Sequence, residues 1–424
     1  MDHSPSAPLD KPDPKDAFAW LAPDLRRPLL EQMLGPMPRG RETLAYRTPP
    51  RHLHEREVDG KLHVVMNSYY LQPAVCKKAL ALRQTGRYHL TFIGCCIREE
   101  QRPELFFDEY YEVLDYQEMY RLMADARVHA LSTVIQPLMN GACAVEARLR
   151  HGTPVVIDIN DSLHFMRKDP HAPDCETERE ILERATSFVH KMPAWAVEEM
   201  RGHWSLTRPD FLVHSLPVRE YFTECADLEP GVPASLVFAG GIVPYRIAVT
   251  QGHQNHIMDP LIDTLCGAGL GLGFVVNQNA RNMFWDEHAH YIDFQKKYPR
   301  FSFEPGVPFF ALPKKISRHH FAIYWENVRA STYNDKHFAI NMATKIFSYM
   351  EAGLPVIVHT EAPYIRQFTA DGGMGLVYEL DRMDLIPDLV AACDHEALRA
   401  SLRAWREKND NSGAVAPLEA SFAA

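Results

Sequence analysis

From about Val58 onward, short apolar runs alternate with stretches in which apolar residues recur every three or four positions. LHVVMNS (62–68) and YHLTFIGCC (88–96) read as strands on either side of a helix over 73–86, which Gly86 stops. HALSTVIQP (129–137) and TPVVIDIND (153–161) are further strands, with helices predicted over 116–128 and 141–152. One long helix is expected over 176–200, then a short strand over 211–215 and a helix over 216–222. CADLEPGVPA (225–234) has the composition of a linker, and after it the rhythm restarts. Strands are predicted over 235–242, 272–277, 300–306, 321–326 and 354–360, with helices over 258–269 and 341–353 and a last one over 395–409.

Continuous apolar strands alternating with helices of about 10–15 residues signal βαβ units and a parallel sheet. The expected fold class is therefore α/β, with two Rossmann-like, doubly wound parallel-sheet domains facing a central cleft. Residues 1–57 are expected to be a tail and an amphipathic helix, 58–224 the first domain and 234–395 the second. A C-terminal helix over 396–409, returning to the first domain, and a tail over 410–424 complete the division. A length of 424 residues fits two cores better than one.

Composition narrows the function classes. Hydrophobic residues make up 46% and charged residues 24%, as in a globular protein with sizeable cores. The net charge is -10 with no clustered basic excess, which argues against a nucleic-acid partner. Eight scattered cysteines without a CxxC pair suit a reducing compartment, and no apolar run is long enough to span a bilayer. The expected location is the cytoplasm, and the helix around Trp20, Arg26 and Arg27 is expected to pack on the first domain, with peripheral contact at the inner face of the membrane as the alternative.

The densest chemical information lies in ATKIFSYMEAGLPVIV (343–358). Ile346, Phe347 and Met350 share one helical face, Gly353 stands where a left-handed cap is wanted, and Pro355 bars further helix. Lys345 falls early in this helix, with Thr344 and Ser348, and Lys345 and Tyr349, as i,i+4 pairs. A lysine beside free backbone amides suits a diphosphate, and an ordinary solvated lysine fits the same spacing.

This segment resembles the donor-site helix of GT-B-type glycosyltransferases of the group that includes family four, and SLVFAGGIVPYR (235–246) is similar to the strand and glycine loop that open the same domain. The resemblance covers about 60–420 and is strongest over 340–380. Departures accompany it. Gly241 stands where many members have an arginine and Arg246 where they have a lysine, while Ile340 and Ser348 replace a pair of glutamates. This chain resembles the subgroup with a helix lysine. The resemblance implies a nucleotide-sugar donor held by Gly240, Gly241, Arg246, Thr344, Lys345 and Tyr349, with Arg246 and Lys345 stabilising charge on the departing diphosphate. It implies no cofactor and no metal ion, and an acceptor that is a glycan, a lipid-linked glycan or a protein.

On the acceptor side, the loop after the strand at 153–161 carries Asp161 and His164, candidates for the group that removes or steers the acceptor proton. Asp161 with Ser162 is equally suited to capping the next helix. SFEPGVP (302–308) is a candidate flank for the base, and Glu361 and Tyr364 candidate contacts for the sugar. The histidines lack zinc spacing, no GxGxxG follows the first strand, and no GxSxG occurs, which sets aside zinc, dehydrogenase and hydrolase readings. A silent sugar-nucleotide-binding protein and an epimerase of the same fold remain as alternatives.

Overall fold

The computed structural model describes residues 17–37, 46–251, 253–276 and 285–424. The first domain is built on strands β1 (Glu57–Val58), β2 (Lys61–Asn67), β3 (Tyr88–Gly94), β4 (Glu109–Glu112), β5 (Ala130–Val134), β6 (Val155–Ile159), β7 (Ser187–His190) and β8 (Asp210–Leu212). They lie in the order β4-β3-β2-β5-β6-β7-β8, all parallel, with β1 antiparallel on β2. The second domain holds β9 (Ser235–Gly240), β10 (Gly271–Val276), β11 (Phe301–Glu304), β12 (Phe321–Ile323), β13 (Val356–His359) and β14 (Gly375–Tyr378), in the order β11-β10-β9-β12-β13-β14. In each sheet the strand order reverses beside its first parallel strand, at β2 and β5 or at β9 and β12. Open parallel sheets bind ligands beyond the carboxyl ends of their strands at such a reversal.

The continuous apolar runs follow from burial on both sheet faces. Along β9, Leu236 and Phe238 enter one core cluster while Val237 and Ala239 enter the opposite one. Along β2, Val64 and Met66 face one cluster and Val65 the other. Successive side chains alternate, so a strand covered on both sides has no polar position to spare.

Several expectations need correction. The long helix over 176–200 is two helices, Pro173–Arg184 and Ala194–Trp204, with β7 between them. Thr186 to Val189 is β-branched and aromatic enough to pair with β6, and Pro193 starts the second helix. β4 and β14 escaped the reading because each is a four-residue sheet edge. Residues 216–222 hold only a short 3₁₀ turn, Arg219–Tyr221. The segment 410–424 is no tail, since helix Val415–Ala423 packs on the first domain, where Ser187 Oγ donates to the Ser421 carbonyl at 2.7 Å and Tyr88 Oη donates to Glu419 at 2.9 Å. The preceding helix, His395–Lys408, stays with the second domain, and Arg406 donates to the Met350 carbonyl at 3.3 Å.

The N-terminal helix, Pro23–Leu34, buries Leu29 and Met33 in the first domain's core, and Trp20 Nε1 donates to Glu146 at 3.0 Å. Among the described residues, no helix is long and apolar enough to cross a membrane.

Candidate functional site

A cavity of about 270 Å³ lies between the two domains. The first domain contributes Tyr70, Leu71, Pro73 and Gln101. Gly240 and Gly241 at the end of β9, Val275 and Val276 at the end of β10, and Gly306, Val307 and Phe309 beyond β11 form the opposite wall. Thr344, Lys345 and Ser348 close it from the helix Lys345–Glu351.

Gly240 turns the chain at the end of β9 directly beside Lys345. Its φ is +144°, a conformation that suits glycine, and a Cβ placed there would stand 3.7 Å from Lys345 Cδ and 3.9 Å from Nζ. Gly353 adopts the left-handed conformation expected at the helix end, with φ +72°. A Cβ there would meet the Thr223 carbonyl oxygen at 2.8 Å, so the helix is also locked to the interdomain segment.

Lys345 Nζ lies 4.1 Å from the centre of the Phe238 ring and 5.3 Å from that of Tyr324. Among the described residues no carboxylate stands within 4.0 Å of it, although Glu326 acts on it from further away. Burial pushes its ammonium down to about 8, and Glu326 pulls the other way. The result is a cation held by ring faces beside an open space. Such a group gains most from an anion that enters the cavity, because water no longer screens the charge.

The other candidates divide. Gly241 and Thr344 line the cavity beside Gly240 and Lys345. Tyr349 is fully buried and turned away: its hydroxyl accepts from Ala239 N–H at 2.9 Å and donates to the Ala239 carbonyl at 3.2 Å. It pins the end of β9 rather than reaching a ligand. Arg246 is outside the cavity. By the fifth residue after Gly241 the chain has entered helix Tyr245–Thr250, whose buried residue is Ala248. The Arg246 side chain is 75% exposed and pairs with Glu287 at 3.4 Å.

Asp161 faces the cleft. It pairs with Lys191 at 3.8 Å and acts electrostatically on Tyr70 of its own domain and on Tyr324, Tyr333 and His337 of the other. It does not cap the following helix, Leu163–Met166. That task falls to Glu178, whose carboxylate accepts from Leu163 N–H at 2.8 Å, His164 N–H at 3.3 Å and Ser162 Oγ at 3.2 Å. His164 is buried against Phe165, His203 and Trp204, away from the cavity, and burial lowers its imidazole to about 4. The structure thus brings Gly240, Gly241, Thr344 and Lys345 together with Asp161 nearby, and leaves Arg246, Tyr349 and His164 apart.

Gly306 and Val307 of the SFEPGVP segment line the cavity, whereas Phe303 is buried in the core. Glu326, just beyond β12, was missed. Its signal in the sequence is a charged residue following the apolar run FAIYW.

No protein-family model and no curated protein matches the amino-acid sequence. Solved structures match the fold. Sucrose-phosphate synthase from Thermosynechococcus elongatus superposes with a TM-score of 0.58 at 12% identity, over 85% of this chain and 96% of that one. HepE from Anabaena, in complex with UDP-glucose, gives a TM-score of 0.60 at 11% identity over 85% of this chain and 99% of that one. A glycosyltransferase from Rickettsia africae gives 0.56 at 10% identity over 84% and 95%. Two parallel sheets of matching layout, aligned over nearly the full length of these proteins, show that this chain has the GT-B fold of glycosyltransferases.

Proposed function

We propose that the chain is a glycosyltransferase that takes sugar from a nucleotide-sugar donor seated in the interdomain cavity. The observation that carries the reading is Lys345, an ammonium without an ion-pair partner among the described residues, set against the glycine turn at Gly240 inside that cavity. The apolar end formed by Val275, Val276, Val307 and Phe309 suits a nucleoside, and the wall formed by Gly240, Gly241, Thr344 and Lys345 suits its diphosphate.

When the bond from the anomeric carbon to the diphosphate oxygen breaks, negative charge grows on the leaving group. Lys345 meets that charge where it develops, which lowers the barrier without a metal ion. Thr344 and Ser348 offer hydroxyl donors beside it. The acceptor, a glycan, a lipid-linked glycan or a protein, approaches from the first domain. There Asp161 orients its hydroxyl and takes up its proton, or guides that proton to the departing phosphate. The location that goes with this reading is the cytoplasmic side of a membrane or the cytoplasm itself.

A melting screen against UDP-, GDP-, ADP- and CMP-sugars tests the reading, since a ligand bound to the native state raises its apparent stability. At least one donor should raise the melting temperature of the wild type, and Lys345→Ala should abolish most of that rise. No response to any of the four classes would remove the donor site and the reading with it.

A further inference from the structure

Glu326 stands where the strand order of the second sheet reverses. β12 pairs with β9, which ends in Gly240, and the chain leaves β12 through Tyr324, Trp325 and Glu326. Tyr324 Oη donates to Glu326 Oε2 at 2.8 Å. The Tyr324 ring is buried, stacks on His359 at 5.4 Å and stands 5.3 Å from Lys345 Nζ, so the tyrosine that orients Glu326 is the same one that holds the lysine. Among the described residues no side chain other than Tyr324 bonds to the Glu326 carboxylate, and no cation stands within 4.0 Å of it. Glu326 is also the carboxylate within electrostatic reach of Lys345.

Across the cleft, Asp161 acts on Tyr324, Tyr333 and His337, three residues on which Glu326 also acts. Two carboxylates on opposite domains, Asp161 beside Lys191 at 3.8 Å and Glu326 on the Tyr324 hydroxyl at 2.8 Å, therefore act on one group of side chains next to the lysine. Carboxylates accept hydrogen bonds and donate none when ionised, and they repel anions. The group that fits between them carries hydroxyl donors and no negative charge of its own.

On the transferase reading, that space adjoins the diphosphate and belongs to the transferred sugar. We propose that Glu326 holds hydroxyl groups of that sugar, so that the donor carries a neutral, hydroxyl-rich sugar and not a uronic acid. Ile340 and Ser348, at the positions where resembling sequences have glutamates, leave this task open. Glu326 reaches it from a different strand end.

The test compares a nucleoside diphosphate with its sugar ester, in the pairs UDP and UDP-glucose, GDP and GDP-mannose, and ADP and ADP-glucose, by titration calorimetry. Glu326→Ala should weaken the sugar nucleotide by about tenfold or more while the bare diphosphate binds as well or more tightly, because a hydrogen bond to a charged group is lost from the sugar alone. Glu326→Gln, which keeps the shape, should change the ratio of the two affinities in the same direction by a smaller factor, and it decides the matter if the alanine variant melts without a cooperative transition. Tyr324→Phe should fall between them. Equal loss of both ligands, or an unchanged ratio, overturns the role of Glu326 and leaves the donor site standing. A wild type that binds none of the pairs overturns the transferase reading itself. UDP-glucuronate binding the wild type as tightly as UDP-glucose would overturn the neutral-sugar assignment.

Discussion

Lys77 Nζ and Glu351 Oε1 meet at 2.6 Å across the domain boundary, and both side chains are buried to within 1%. Glu351 closes helix Lys345–Glu351, while Lys77 belongs to helix Pro73–Gln84, whose first residue lines the cavity. Burial pushes the Glu351 carboxyl up, Lys77 pulls it down, and the Val218 N–H adds a hydrogen bond at 2.7 Å. Removing one partner leaves the other charge buried and alone. Glu351→Ala or Lys77→Ala should therefore cost about 3–5 kcal/mol in urea denaturation. Lys77→Met combined with Glu351→Leu should recover most of the loss. A single variant that unfolds like the wild type would show that the pair opens to water in solution.

Tyr349→Phe tests whether that tyrosine shapes the site from behind. It leaves the Ala239 N–H and carbonyl without their side-chain partner in a buried place, which should cost about 1–3 kcal/mol of stability. Donor affinity should change less than in Lys345→Ala. A phenylalanine variant with full stability and lost donor binding would instead return the hydroxyl to the ligand.

The two domains were legible because parallel strands buried on both faces give apolar runs that a single pass along the chain detects. Gly240, Gly241, Thr344 and Lys345 were legible for a related reason: each belongs to a local turn or helix start whose geometry is written within a few residues. What failed was non-local. The cap of helix Leu163–Met166 comes from Glu178 on the next helix, Pro173–Arg184, so the sequence alone leaves Asp161 open to a capping and an acceptor-side reading alike. Glu326 gains its meaning from the adjacency of β12 and β9, which strand spacing does not reveal. Tyr349 has the right spacing from Lys345 to share a ligand, but the turn of its ring toward Ala239 is decided by packing.

Glu178 makes a pH prediction in the first domain. It is fully buried, and burial pushes its carboxyl up to about 8 against the pull of the His164 and Leu163 amides and the Ser162 hydroxyl. The native state then holds a proton that the unfolded chain has released, between the ordinary carboxyl range and about pH 8. Stability from this group is present at low pH and is lost as pH rises through that window. Glu178→Gln, whose amide oxygen still accepts from the cap, should flatten the fall of the urea midpoint between about pH 5 and pH 8. An identical slope in both proteins would place the proton elsewhere.

Lys345 makes the opposite kind of prediction, because a bound diphosphate would reverse the effect of burial. Burial in the folded chain lowers its ammonium to about 8, while the unfolded chain keeps the usual lysine value. Above about pH 8 the unfolded state binds more protons, so this group favours the folded apoprotein as pH rises. A diphosphate beside Nζ stabilises the charged form and raises its pKa in the complex. Donor affinity should then be level below about pH 8 and fall by up to tenfold per unit above it, until the pKa of the complex is passed. A nucleotide sugar is the right probe, since its diester phosphates keep their charge throughout. Titrations of the best-binding donor between about pH 7 and pH 9 should show the break in the wild type, and a weaker, level response in Lys345→Met. A break of the same size in Lys345→Met would assign the titration to another group and leave the lysine with no part in holding the diphosphate.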